Sequence, residues 1–253
     1  MPGHDLRTAL VTGASSGIGS ALAQLLARHG ITVALVARRP AELQKVADAI
    51  AAGGGRAIVV PVDVSDPVAV TEAVQRAESE LDGLDLVVAN AGVAVTRWSG
   101  KLAWDDCAAT IGVNVVGATA TLVAAIPGMI ARGRGHLVGV SSLAAYRGLP
   151  KLAVYSASKA YLSSLLESLR IDLASKHITV SDVRPGYVRT PMNANTQGKM
   201  PLSLDADQAA QEIFDAIVAK KALHAFPLPV ASAMRSMSWL PIALYDKVAA
   251  KLV

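Results

Sequence analysis

Cysteine is nearly absent from this chain of 253 residues: Cys107 is the only one. One cysteine builds neither a disulfide framework nor a Cys/His metal cluster, so no metal centre is expected. The opening segment, 1–7, has no apolar run, which predicts no signal peptide and, with the lone thiol, a reduced cytoplasmic setting. Aromatic residues are scarce at 4%, so a core here has to be built from Ala, Val, Leu and Ile. Charge is sparse too, 17% against 52% hydrophobic residues, a balance that excludes a disordered chain. The formal charge of +4 is scattered, with Arg38-Arg39, Arg132/Arg134 and Lys220-Lys221 the only tight groups. No basic stripe interleaves with aromatics, which excludes nucleic acid as a partner, and Lys220-Lys221 reads as a solvated helix end.

Length and patterning then predict one α/β domain over 1–253: a single doubly wound parallel sheet of the Rossmann type with helices on both faces. The expected strands are Leu6–Thr12, Ile31–Ala37, Arg56–Val62, Leu84–Ala89, Gly135–Ser141 and Ile178–Val183. They are continuous apolar runs rather than alternating ones, the pattern of strands covered on both faces. Between them helices are expected at Ile18–His29, Ala41–Ala52, Pro67–Leu81, about Trp104–Ala131 and Tyr155–Lys176, with another at Asp205–Lys220. From Cys107 to Ala131 no residue is charged, enough to span a bilayer by length. Its Asn114, threonines and Pro127-Gly128 pair favour a helix buried on a sheet or at a subunit contact. Residues 186–203 lack periodicity and follow a strand, so they read as a substrate lid over the carboxyl edge. Residues 227–253 form an apolar C-terminal extension interrupted by Pro229, Arg235 and Pro241.

Two stretches carry chemistry. After the first strand come Thr12-Gly13-Ala14-Ser15-Ser16-Gly17-Ile18-Gly19 and then a helix, which predicts a turn holding a dinucleotide pyrophosphate on the helix N-terminus. The second strand ends Val36-Ala37-Arg38-Arg39-Pro40, with no carboxylate to accept from the ribose hydroxyl of NAD and two guanidinium groups suited to a 2′-phosphate. The expected cofactor is therefore NADP(H). Asp63, before Val64, either accepts from the adenine amine or caps its turn. In Tyr155-Ser156-Ala157-Ser158-Lys159, Tyr and Lys stand one helical turn apart on one face. A free phenol is only about 0.1% ionised at neutral pH. The Lys159 ammonium is expected to draw it down and make it a working acid/base. The strand Val138–Val140 ends in Ser141-Ser142, hydroxyls placed to bond a substrate oxygen, with one of the two serving the turn.

Taken together, Thr12–Gly19, Asn90-Ala91-Gly92, Asn114, Ser142, Tyr155/Lys159 and Pro185-Gly186 resemble the motifs of the short-chain dehydrogenases/reductases, in their main branch, from about Leu6 to Met192. That resemblance implies an oxidoreductase reducing a ketone or aldehyde to an alcohol, or the reverse. Ser142, thirteen residues before Tyr155, takes the catalytic serine's place. Tyr155 is implied as the acid/base, Lys159 as a ligand of the nicotinamide ribose as well, and Asn114 as holder of a relay water. Asn90, Ala91 and Gly92 are implied to shape the cofactor site, and Pro185, Gly186, Val188 and Thr190 to line its nicotinamide side. Ala89 stands where the family usually has a second Asn. Leu143, Tyr146, Leu149, Trp98, Tyr187, Met192 and Met200 make the expected pocket apolar, for an apolar carbonyl or alcohol. Arg147, Arg189 and Lys199 stand near that site, and Arg189 or Lys199 would suit an acidic thioester. Two other functions stay open: a 3-oxoacyl thioester reductase, and an NADP(H)-binding sensor without turnover. A homodimer or homotetramer is implied, and the extension 227–253 could contact a membrane surface.

Overall fold

The computed structural model describes residues 5–193 and 202–250. In chain order the elements are β1 Thr8–Thr12, α1 Gly17–Arg28, β2 Thr32–Ala37, α2 Pro40–Ala52, β3 Ala57–Pro61, α3 Pro67–Glu80 and β4 Leu86–Ala89. Then come α4 Trp104–Ile111, α5 Ala118–Arg132, β5 Gly135–Val140, α6 Ala153–Leu173, β6 Ile178–Pro185, α7 Ala206–Val218, β7 Leu223–Phe226, α8 Leu228–Ser238 and α9 Ile242–Ala249. All seven strands pair in parallel, in the order β3-β2-β1-β4-β5-β6-β7. Strand order reverses between β1 and β4, so their carboxyl ends open a crevice at the switch point, where such sheets take their ligands.

The sheet is buried on both faces, which is why its strands read as unbroken apolar runs. Successive residues Ala9, Leu10 and Val11 of β1 are all fully buried. Ala9 and Val11 face a cluster with Leu22, Leu26, Leu43, Ile213 and Ile217 of α1, α2 and α7. Leu10 faces the opposite cluster, with Val74, Leu122, Leu162 and Leu166 of α3, α5 and α6. Burying side chains of this size contributes roughly 1.5–3 kcal/mol each before conformational entropy is charged against it.

Three features depart from the expected elements. The helix expected over Trp104–Ala131 carries a wider π-type stretch, Gly112–Gly117, between α4 and α5. It is also only partly buried: one face packs on α3 and β4, while Trp104, Ile111, Val123 and Ile130 stay exposed. Trp104–Arg132 passes the length and composition of a membrane span, yet its inner face belongs to the core under the sheet. Second, β6 runs on to Pro185 because β7, absent from the expected set, pairs with it from Asp182 to Pro185. Third, the C-terminal extension folds as α8 and α9. Arg147, just past β5, fastens it by donating to the carbonyls of Ser238 (3.1 Å) and Leu240 (3.0 Å).

Candidate active site

The glycine turn between β1 and α1 has the geometry a bound phosphate needs. Gly13 and Gly17 take left-handed backbone angles, φ of 70° and 56°. Gly19 lies so close to the facing chain that a Cβ on it would stand 2.4 Å from the Gly13 carbonyl oxygen and 2.5 Å from Asn90 Nδ2. Ser16 caps α1 in an extended conformation without turning its hydroxyl onto the helix, so the first N–H groups, Ile18 among them, are left for another acceptor. Across the crevice, Thr12 staples β1 to the end of β4: its Oγ1 accepts from the N–H groups of Asn90 and Ala91, both at 3.0 Å. Asn90 Nδ2 donates back to Thr12 O at 2.9 Å. Asn90 and Ala91 thus shape the crevice through Thr12, whose staple role was not legible before the strands were paired.

Arg38 and Arg39 follow the end of β2, beside this crevice. Arg39 donates to Ser15 Oγ (3.1 Å) and Ser16 Oγ (3.4 Å), and Arg38 lies 3.7 Å from Asp63 Oδ2. Asp63 does cap its turn, accepting from Ser65 N at 3.0 Å and Ser65 Oγ at 2.8 Å. Partial burial pushes that carboxyl up, but the Ser65 bonds and Arg38 outweigh it and hold it below its ordinary value. Val64, next along, is buried with its carbonyl against Gly117 of the π-type stretch.

The four expected catalytic residues converge beyond the ends of β4, β5 and β6. Ser142 opens a short turn, its Oγ accepting from Ala144 N at 3.1 Å and reaching Tyr155. Ser141 points elsewhere, donating to the buried Asp182 carboxylate through a short hydrogen bond. On α6, Lys159 Nζ lies 5.8 Å from the centre of the Tyr155 ring and donates to Val140 O at 2.8 Å. Asn114, in the π-type stretch, accepts from Val93 N (2.8 Å) and donates to Val93 O (2.9 Å) and Ser158 Oγ (3.0 Å). Such wide turns recur at functional sites, where they re-aim one residue. A Cβ on Gly92 would stand 3.5 Å from both Asn114 Oδ1 and Lys159 Nζ, so all three border one space.

Electrostatically the site departs from one expectation. Burial pushes the Tyr155 phenol up; the Ser142 hydrogen bond draws it back and Tyr187 adds to the rise. The anticipated lowering by Lys159 is absent because Lys159 is itself strained by burial, which brings its ammonium down to about 8, with Asp182 opposing. Asp182 is the residue that sequence reading passed over: a lone carboxylate in an apolar strand, with its partners 41 positions away at Ser141 and two away at Arg184.

Among the residues expected to line the nicotinamide, the methyl of Thr190 sits 3.1 Å from where a Gly17 Cβ would be, and Pro185 and Gly186 lie against Leu143 and β7. Val188 is buried, its side chain in the α1/α7-side cluster. Of the expected pocket, Leu143 is buried, Tyr187 and Met192 are exposed beside the site, and Tyr146 lies under the Arg184 guanidinium at 4.5 Å. Trp98 rests on the Gly100 turn and is largely exposed. Arg189 is taken up by Ser203 and Asp205, and Arg147 by the C-terminal helices. Met200 and Lys199, with the rest of 194–201 in the expected lid, fall outside the described residues.

Comparison with known proteins identifies the family and the fold. The family model described as short chain dehydrogenase covers residues 7–201. An uncharacterized oxidoreductase of Myxococcus xanthus is 44% identical over 97% of this chain and 97% of its own length. Among solved structures, a 3-ketoacyl-ACP reductase from Sinorhizobium meliloti is 30% identical with a TM-score of 0.81, covering 89% of this chain and 99% of that one. A short-chain dehydrogenase from Sphingobium yanoikuyae in complex with NADPH is 25% identical with a TM-score of 0.83, covering 94% and 98%.

Proposed function

Because this chain belongs to the short-chain dehydrogenase family of oxidoreductases, we propose that it interconverts an apolar ketone or aldehyde and its alcohol with NADP(H), Tyr155 serving as the acid/base. The observation that carries the reading is the gathering of Lys159, Asn114 and Gly92 around one space beside Tyr155, with Lys159 Nζ 5.8 Å from the Tyr155 ring and Ser142 opening the turn that follows β5.

The cofactor fits the residues present: the Gly13–Gly19 turn closes too tightly to admit a Cβ at Gly19, and it leaves the first N–H groups of α1 without a side-chain cap, as a phosphate needs. NADP(H), when bound, supplies the hydride chemistry. Everything else falls to the chain. Ser142 Oγ and Tyr155 Oη bind the substrate oxygen and stabilise charge as it develops there. Tyr155 holds the transferable proton on Oη, and a phenol raised by burial keeps that proton until the oxygen demands it. Lys159 holds positive charge beside the ring and would hold the ribose hydroxyls of the cofactor. Arg38 and Arg39 meet a 2′-phosphate; their present partners, a surface carboxylate and two serine hydroxyls, are weak competitors for such an anion.

Buried Leu143, with the Met192 methyl 3.8 Å from where a Gly92 Cβ would stand, supports an apolar carbonyl. The exposed apolar residues of α4 and α5, with the groove that Trp104, Ile111 and Val115 form against Ala153 and Val154, support self-association as a homodimer or homotetramer. Absorbance at 340 nm with NADPH and with NADH, across ketones, aldehydes, diketones and an acetoacetyl thioester, tests the reading. NADPH consumption that disappears in Tyr155→Phe is the expected result. NADPH binding without turnover of any carbonyl would favour a sensor instead.

A further inference from the structure

Behind the catalytic helix lies a charged cluster that the mechanism has not used. Asp182 is buried, on the β6 face that packs under α6. One carboxylate oxygen accepts from Ser141 Oγ, and the other accepts from Arg184 Nε at 2.8 Å. The sheet register sets Asp182 opposite Gly139 and Val183 opposite Val140, the residue whose carbonyl takes the Lys159 ammonium at 2.8 Å. Gly139 lets α6 sit directly on this strand pair, since a Cβ there would stand 2.4 Å from Leu166 Cδ1. Arg184 is fixed at its far end by lying over the Tyr146 ring.

A carboxylate buried with no purpose is costly, and one partnered by a single Arg is often replaceable by apolar residues. Here the pair sits where a second cation, Lys159, is also out of water. Among the described residues, the titratable and charged groups around Lys159 are Tyr155 on α6, Asp182 and Arg184 on β6, and, across Tyr155, Tyr187; Asn114 and Ser158 are neutral. We propose that Asp182 is a positioning residue for the Tyr155–Lys159 pair: a buried counter-charge behind the ammonium, oriented by Ser141 and moderated by Arg184. This inference rests on the reading of Tyr155 and Lys159 as the acid/base pair.

The sign follows without deciding which of the two gives up the proton. Removing a negative charge makes both the phenol and the ammonium lose a proton more easily; removing a positive charge does the reverse. Asp182→Asn therefore moves the alkaline limb of kcat/KM for carbonyl reduction to lower pH, with about a threefold to tenfold loss at pH 8. Arg184→Gln moves the same limb to higher pH. Asp85→Asn, a comparably buried carboxylate paired with Arg134 at the far end of the sheet, leaves it in place. A readout independent of substrate is the ¹⁵Nζ NMR titration of Lys159 in the cofactor-free variants, expected to shift in the same opposite directions. Opposite NMR shifts without turnover of any carbonyl uphold the counter-charge and sink the reductase reading. Unmoved limbs and titrations, or shifts of one sign in both variants, overturn the counter-charge. Should Asp182→Asn fail to fold, an unchanged titration in Arg184→Gln is enough to overturn it.

Discussion

The Arg147 guanidinium lies 4.2 Å from the centre of the Tyr245 ring, and Tyr245 Oη in turn donates to the carbonyl of Gly148. Through this pair the loop that follows Ser142 and the C-terminal helices α8 and α9 hold one another. Arg147 also satisfies two carbonyls at the end of α8, work that an ordinary helix end leaves to water or a glycine cap.

Truncating this clamp has a predictable cost. Arg147→Ala loses charge-assisted bonds and a cation–π contact, about 2–3 kcal/mol in all. Hydrogen exchange is expected to rise across 228–249 while β1 to β5 keep their protection. Uniform loss of protection over the whole chain would instead make the clamp part of the global fold.

Gly19→Ala tests the cradle. A methyl 2.4 Å from a backbone carbonyl cannot be absorbed by a side-chain rotation, so β1 and α1 must part. Cofactor affinity, measured by NADPH fluorescence titration, is expected to fall by tenfold or more, roughly 1.4 kcal/mol. Unchanged affinity would place the dinucleotide elsewhere.

On the proposed reading Arg38 should decide the cofactor more sharply than Arg39, because Arg39 also braces the Ser15-Ser16 turn. Arg38→Ala is expected to raise KM for NADPH by about tenfold to a hundredfold, the worth of one charge-assisted bond to phosphate, and to leave KM for NADH nearly unchanged. In Arg39→Ala both cofactors weaken. Equal effects of Arg38→Ala on the two cofactors would put Arg38 outside the 2′-phosphate site.

How much of this was legible depended on whether a signal is local. Strands β1 to β4 could be read because burial leaves no polar residue within the run, as in Leu86–Ala89, and β5 and β6 keep enough apolar residues around His136, Ser181 and Asp182 to be read as well. The edge strand β7 could not: it is four residues long, has one partner strand, and its His224 turns aside to Glu212 at 2.8 Å. Tyr155 and Lys159 were legible because one helical turn joins them. Thr12 and Asp182 were not, since each acquires its role only when strands far apart in sequence are set side by side. The direction in which Tyr155 titrates was misjudged for a related reason: spacing reveals a neighbouring charge, but not how completely both groups are withdrawn from water.

His136 makes the fold sensitive to acid. Burial, then the Lys220 charge, lowers it from 6.5 to about 4, and its Nε2 contacts Ser181 Oγ at 2.8 Å. Ser181 Oγ donates onward to the carbonyl of Lys221, so the imidazole supplies the N–H in that contact. A folded value below the unfolded one means stability that is fully present above about 6.5 and is lost as pH falls through about 4. The expected loss is on the order of 3 kcal/mol. His136→Gln, which can keep a donor toward Ser181, is expected to show a shallower fall in urea midpoint over that window.

Lys159 makes the complementary case at alkaline pH. Its ammonium is lowered from 10.5 to about 8, chiefly by burial, so the unfolded chain binds the extra proton between those values. Stability from this group is therefore present above about 10.5 and is lost as pH falls through about 8, leaving the folded protein carrying a penalty at neutral pH. Lys159→Met keeps the stem and removes the charge. The variant is expected to be inactive yet more stable than the parent at pH 7, by an amount on the order of 3 kcal/mol less whatever Asp182 loses with its cation. The difference should shrink as pH rises toward 10.5. Urea denaturation of both proteins at pH 7 and pH 9.5 reads it directly. A variant less stable than the parent at both pH values would mean that Asp182 and Val140 recover more from the ammonium than its burial costs, and that the catalytic lysine is held without strain.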